Sequence, residues 1–123
     1  MIDSIKSIEQ LTVWQEAMTL AVEVYQQTKG FPPNEQFALT NQVRRSVSSV
    51  SSNIAEGFGR QSTKEELQYY SIAYGSLLET KSFLYLAEKL SYINTGQLRS
   101  LVEKIVTLQK QMNSLMTSIK NHG

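Results

Sequence analysis

From Leu98 onward, the apolar residues Leu98, Leu101, Val102, Ile105, Leu108, Met112, Leu115, Met116 and Ile119 recur at spacings of three and four. That spacing is one face of an α-helix; a strand, whose side chains alternate with period two, cannot keep it. A helix with an apolar stripe of this length has to bury it against other helices, so the segment commits the chain to helix packing.

The rest of the chain agrees. Its only two prolines are adjacent, Pro32-Pro33, and no Asn-Gly or Asp-Gly hairpin signal separates alternating apolar residues. Thr12 with Gln15 forms a capping-box pattern opening a first helix over about residues 13–29, with Trp14, Met18, Ala21 and Tyr25 on one face and Ala17, Leu20 and Val24 on the next. Gly30-Phe-Pro-Pro33 ends it. A second helix is expected over about 34–56, its stripe made by Leu39, Val43, Val47, Val50 and Ile54. The serines of the 46–52 stretch are small enough to let a neighbouring helix approach closely.

Ser62-x-x-Glu65 and Thr63-x-x-Glu66 mark the start of a third helix over 63–90, with Leu67, Tyr70, Tyr74, Leu77, Leu84, Ala87 and Leu90 on its face. Gly75 in its middle costs about 1 kcal/mol relative to alanine, and a close helix crossing at Gly75-Ser76 is the expected compensation. Asn94 or Thr95, with Gln97, caps a fourth helix over 95–120, beyond which the tail should fray. Four helices joined by short loops predict an all-α, antiparallel up-down-up-down four-helix bundle in one domain spanning residues 1–123.

Charge and composition narrow the functions. Twelve basic and eleven acidic residues give a net charge of +1, so no overall field draws the chain to nucleic acid or an anionic membrane. Cysteine is absent and His122 is the only histidine, which removes disulfides, thiolate nucleophiles, Ser/His/Asp sets and the Glu-x-x-His pattern of di-iron bundles. There is no Walker loop or dinucleotide motif, and Gly57-Phe-Gly59 is too short to cradle a phosphate. No catalytic residue, cofactor or metal is expected. Met1 to Lys6 lacks the features of a signal peptide and no apolar run approaches ~20 residues, so a cytoplasmic protein without membrane association is expected.

The candidate site is the corner Asn53 to Arg60. Glu56 lies at the negative end of a helix dipole and calls for a partner. In one reading Glu56 pairs with Arg45 or Arg60, Asn53 bonds backbone and Gly57 makes the turn with positive φ. In the other, the arginine forks form a pocket for phosphate or carboxylate. Arg44, Arg45, Arg60 and Lys64 could likewise be a solvated, ion-paired face or an anion patch that gains strength by repetition in an oligomer. Trp14, Tyr25, Tyr70 and Tyr74 fall at bundle spacing and Phe31 and Phe58 at loops, whereas Tyr69, Phe83, Tyr85 and Tyr92 are surplus to one core and suggest a subunit interface.

Ser52-Asn-Ile-Ala-Glu-Gly-Phe-Gly-Arg60 carries a family resemblance, together with Phe31-Pro32, Glu35, Leu39-Thr40, Gln42, Arg44-Arg45, Ala73, Gly75-Ser76, Glu79 and Leu86-Ala87. Over roughly residues 9–119 the chain resembles the four-helix-bundle proteins encoded in intervening sequences of bacterial 23S ribosomal RNA genes. Ser46 departs from the pattern, where alanine is common. The resemblance implies a homopentameric ring, and kinship with the accessory protein of diversity-generating retroelements, a basic pentamer that binds nucleic acid and a reverse transcriptase. It makes Asn53, Glu56, Gly57 and Gly75 structural signature positions. The expected function is a non-enzymatic oligomeric binding module with RNA or a ribonucleoprotein as partner; the alternative is a protein-binding scaffold with no nucleic-acid role.

Overall fold

The computed structural model describes residues 5–122. The reading of Met1–Ser4 and the fraying expected at Gly123 lie outside the described residues. Four helices make the body: α1 (Thr12–Thr28), α2 (Leu39–Phe58), α3 (Thr63–Lys89) and α4 (Thr95–His122), with short 3-10 turns at Ile8–Gln10 and Pro33–Glu35. Each helix packs on its neighbours in sequence and α1 closes on α4, so the four stand at the corners of a square with α1 diagonal to α3. Neighbours run antiparallel. Across α2 and α3, Ser46 meets Thr80, Ser49 meets Ser76 and Gly57 abuts Tyr70, the partner's number falling as the residue number rises. The same order holds between α1 and α2, where Thr28 meets Arg44 and Tyr25 meets Ser48, and between α1 and α4, where Gln27 meets Gln97 and Glu23 meets Lys104.

The stripes expected from spacing form the core. Val24, Val47, Val50, Ile54, Leu77, Leu84 and Ile105 are fully buried, with Leu20, Val43, Tyr70, Leu101, Leu108 and Met112 nearly so. Met18 and Tyr25, placed by spacing on the packed face of α1, are instead about 40% exposed, because α1 turns Ala17, Leu20 and Val24 inward and presents that second stripe on its flank.

Several boundaries differ from expectation for local reasons. Thr12 does not cap α1; Leu11 holds the cap position without a side-chain bond, and the Gln15 amide donates outward to the Glu9 carbonyl. Helix α2 begins at Leu39 rather than near Asn34. Pro33–Glu35 close a single 3-10 turn, Ala38 (φ −125°, ψ −108°) breaks the helical path, and the Glu35 carboxylate accepts the Leu39 N–H at 3.2 Å. At the start of α3, Ser62 accepts the Glu65 N–H at 3.0 Å, while Glu66 accepts the Tyr70 hydroxyl. Asn94 and Gln97 cap α4 reciprocally, each side chain accepting the other's N–H at 2.8 Å, and α4 continues to His122 instead of fraying at Lys120.

The end of α3 is a Schellman closure: Tyr92 N–H donates to the Ala87 carbonyl and Ser91 N–H to that of Glu88. Ser91 has φ of 64°, alone in that region among the described non-glycine residues. A non-glycine residue pays about 1–2 kcal/mol in the left-handed well. Ser91→Gly is therefore expected to raise the melting temperature by several degrees in a thermal scan; an unchanged or lower midpoint would contradict this closure.

Candidate functional site

The site is built on the seam between α2 and α3, the most extensive helix contact in the chain. Small residues make it close. Ser46 Oγ lies 2.8 Å from Thr80 Oγ1, which donates to the Ser76 carbonyl at 2.8 Å, and Ser49 Oγ lies 2.9 Å from Ser76 Oγ. Both Ser46 and Thr80 are buried, so these bonds satisfy hydroxyls that would otherwise be costly to desolvate. Asn53 Nδ2 donates to the Ser49 carbonyl and hydroxyl, both at 2.8 Å, locking one turn of α2 to the same ladder.

Gly57 corrects the expected turn. It lies inside α2, buried, and no glycine among the described residues has a positive φ. What it provides is room: a Cβ there would sit 2.7 Å from Tyr70 Cε1 and 3.0 Å from Tyr69 Cβ. Tyr70 is 1% exposed and donates its hydroxyl to Glu66 Oε2 at 2.9 Å. Burial, with the Glu66 carboxylate beside it, pushes that phenol far above its ordinary value, so it remains a donor. Gly75 is also corrected: it is exposed, a Cβ there would meet nothing within 4 Å, and the close crossing runs through Ser76 on the next position.

The four candidate cations are not brought together. Arg44 Nε donates to Thr28 Oγ1 at 2.8 Å and Nη2 to the Tyr25 carbonyl at 3.3 Å, with the guanidinium 4.7 Å from the centre of the Tyr25 ring. It clamps the C-terminal end of α1, where a cation is favoured. Arg60 reaches Glu56 Oε2 at 3.3 Å and the Tyr69 hydroxyl at 3.1 Å and stacks on that ring, so Arg60, not Arg45, holds Glu56. Arg45 and Lys64 make no hydrogen bond or ion pair among the described residues, and they lie toward opposite ends of the α2/α3 seam. Taking Thr80 as the α3 level opposite Arg45, sixteen residues of helix separate them, roughly 24 Å.

Arg45 borders a recess of about 360 Å³ lined by Gln42, Ser46, Ser49, Ser76, Glu79 and Phe83. Gln42, Arg45 and Ser49 are spaced i, i+3, i+7 along α2, and Ser76, Glu79 and Phe83 likewise along α3, so two stripes, polar except at Phe83, face each other across the seam. That matched spacing was readable in the sequence, yet it left Gln42, Ser76, Glu79 and Phe83 outside the candidate set, because pairing the stripes requires the helix register. The recess offers a guanidinium, hydroxyls, an amide and a carboxylate beside an aromatic edge. Chemically, the guanidinium can hydrogen-bond an anionic oxygen and the carboxylate can accept a hydrogen bond from a hydroxyl. Elsewhere, Tyr92 donates to Glu35 Oε2 at 2.7 Å and packs on Phe31 at 5.3 Å between ring centres, which ties it to the end of the bundle. The bond to Glu35 raises the Tyr92 phenol above its usual range.

Among the described residues no cluster of three or more acids or histidines could hold a metal ion, and no helix is long and apolar enough to cross a membrane.

Fold and seam together define an all-α four-helix bundle whose second and third helices are fused along a small-residue, hydroxyl-bonded seam. The 23S rRNA-intervening sequence protein family matches residues 9–114, and the chain belongs to that family. A solved structure from Bacteroides thetaiotaomicron, described as a protein of unknown function from the S23 ribosomal protein family, has the same fold. Its TM-score is 0.76 at 24% identity, over 85% of this chain and 97% of that one. Curated proteins give no significant match.

Proposed function

We propose that the protein is a non-enzymatic, self-associating binding module, a homopentamer in the cytoplasm, that engages RNA or a ribonucleoprotein through the Arg45 recess. The observation that carries this reading is the contrast between neighbours: Arg44 is consumed by the α1 clamp, while Arg45 has no partner among the described residues and borders a hydroxyl-lined recess. The family's link to ribosomal RNA genes points the same way. A net charge of +1 gives one copy little attraction for a polyanion, so binding depends on repeating the recess in an oligomer.

Titration of a structured 23S ribosomal RNA fragment at about 50 mM and about 200 mM salt tests the reading. Affinity is expected to fall with salt, and Arg45→Ala to weaken binding at least several-fold with the melting temperature unchanged. Arg44→Ala should do the reverse, costing about 1–3 kcal/mol of stability through lost charge-assisted bonds. No binding at either salt, or binding indifferent to Arg45→Ala, would sink the proposal. A second reading, a protein-binding scaffold, is favoured by Phe37, which is 89% exposed. Retrieval of protein partners without nucleic acid would support it.

A further inference from the structure

The recess between α2 and α3 changes character along its length. The antiparallel register that sets Ser46 against Thr80 and Ser49 against Ser76 brings its lining residues level in pairs: Gln42 with Phe83, Arg45 with Glu79 and Ser49 with Ser76. The first pair and the last are seven residues of helix apart, roughly 10 Å. Bonding capacity is unequal along that line. At the floor, Ser46 and Thr80 direct their hydroxyl protons at the Val43 carbonyl, the Ser76 carbonyl and each other, so no donor is left over. Ser49 Oγ already accepts from Asn53 Nδ2 and shares one proton with Ser76 Oγ; the second proton of that pair has no acceptor among the described residues. The side chains of Gln42, Arg45 and Glu79 make no hydrogen bond or ion pair there either, although Arg45 and Glu79 border one recess.

The serine end therefore donates, the middle both donates and accepts, and the far end offers an amide beside the half-buried Phe83 ring. A second bare anion placed between Arg45 and Glu79 is repelled by the carboxylate, whereas an anion with a hydroxyl next to it satisfies both groups. RNA carries that combination at every residue, the 2′-hydroxyl standing beside the 3′-phosphate, and DNA lacks it. We propose that the recess holds one unpaired ribonucleotide and distinguishes RNA from DNA through Glu79. This rests on the nucleic-acid reading above and names the chemistry it recognises. Arg45 and the spare serine hydroxyl donate to phosphate oxygens, the Glu79 carboxylate accepts from the 2′-hydroxyl, and the base lies against Phe83 with its edge at Gln42. The base has to be unpaired, because a base stacked in a duplex cannot turn its face to Phe83. A deoxynucleotide leaves Glu79 without a donor and keeps its repulsion of the phosphate, so both effects disfavour DNA.

Titration of the 23S ribosomal RNA fragment and of DNA of the same sequence at about 50 mM salt, with wild type, Glu79→Ala and Glu79→Gln, tests the assignment. Glu79 is exposed, so both variants should keep the helix content of the wild type by circular dichroism. The wild type should bind RNA about tenfold or more tighter than DNA, the fold-change of one hydrogen bond to a charged group. Glu79→Ala should bring the two affinities together, weakening RNA and strengthening DNA. Glu79→Gln, which keeps an acceptor oxygen, should retain part of the preference. Equal binding of RNA and DNA by the wild type, or a preference that survives Glu79→Ala, would overturn the ribose assignment and leave nucleic-acid binding standing. Binding of neither would overturn both.

Discussion

Gly57→Val is expected to destabilise the protein by about 1–3 kcal/mol, the usual cost of forcing extra carbon into a packed core. The branched side chain would begin 2.7 Å from the Tyr70 ring, which is held by Glu66 and cannot swing away without orphaning its hydroxyl. The smaller change separates this cause from a turn requirement. Gly57→Ala gains about 1 kcal/mol of helix propensity, so a net loss isolates the clash. Gly57→Asn, which a left-handed turn tolerates, should be no better than alanine. Gly75→Ala, where the added carbon meets open space, should stabilise instead. Urea unfolding of the four variants at one protein concentration reads all the signs together; a stabilised Gly57→Ala would contradict the packing role.

Leu84→Ala is expected to cost more, about 2–5 kcal/mol, as a transfer loss plus a cavity. Leu84 is 0% exposed on α3, the helix that joins the seam with α2 to the contact with α4. Its surroundings are helices closed on one another, so the site has little freedom to collapse. The midpoint of denaturation should fall with the slope unchanged. Leu78→Ala, on the outer face, is the control: its effect on the folding of one chain should stay within about 0.5 kcal/mol. A comparable loss at both positions would mean that the inner and outer faces of α3 are wrongly assigned.

Helix number, order and inward faces were legible because burial enforces a 3.6-residue period, and Leu98 to Ile119 or Leu39 to Ile54 carry it without interruption. Gly57 and Glu35 were misread for one cause: their meaning depends on a partner distant in sequence. Gly57 before Phe58 and Gly59 reads as a corner by local chemistry, yet Tyr70, thirteen residues on, sets its role. Glu35 reads as early helix, but it bonds Tyr92 across 57 residues and caps Leu39 instead. Asn53 and Glu56 were legible as a local network, since their partners Ser49 and Arg60 lie within four residues. Arg44 and Arg45 read as one pair; a 100° step around α2 sends one to α1 and the other to the recess.

Ultraviolet crosslinking of the native protein in its own cells, with the attached RNA sequenced and the crosslinked peptides identified, bears most directly on function. Binding through the recess is expected to yield ribosomal RNA joined to peptides covering residues 42–49 and 76–83. Protein recovered with no RNA above an unirradiated control, or crosslinked only at other segments, would contradict it.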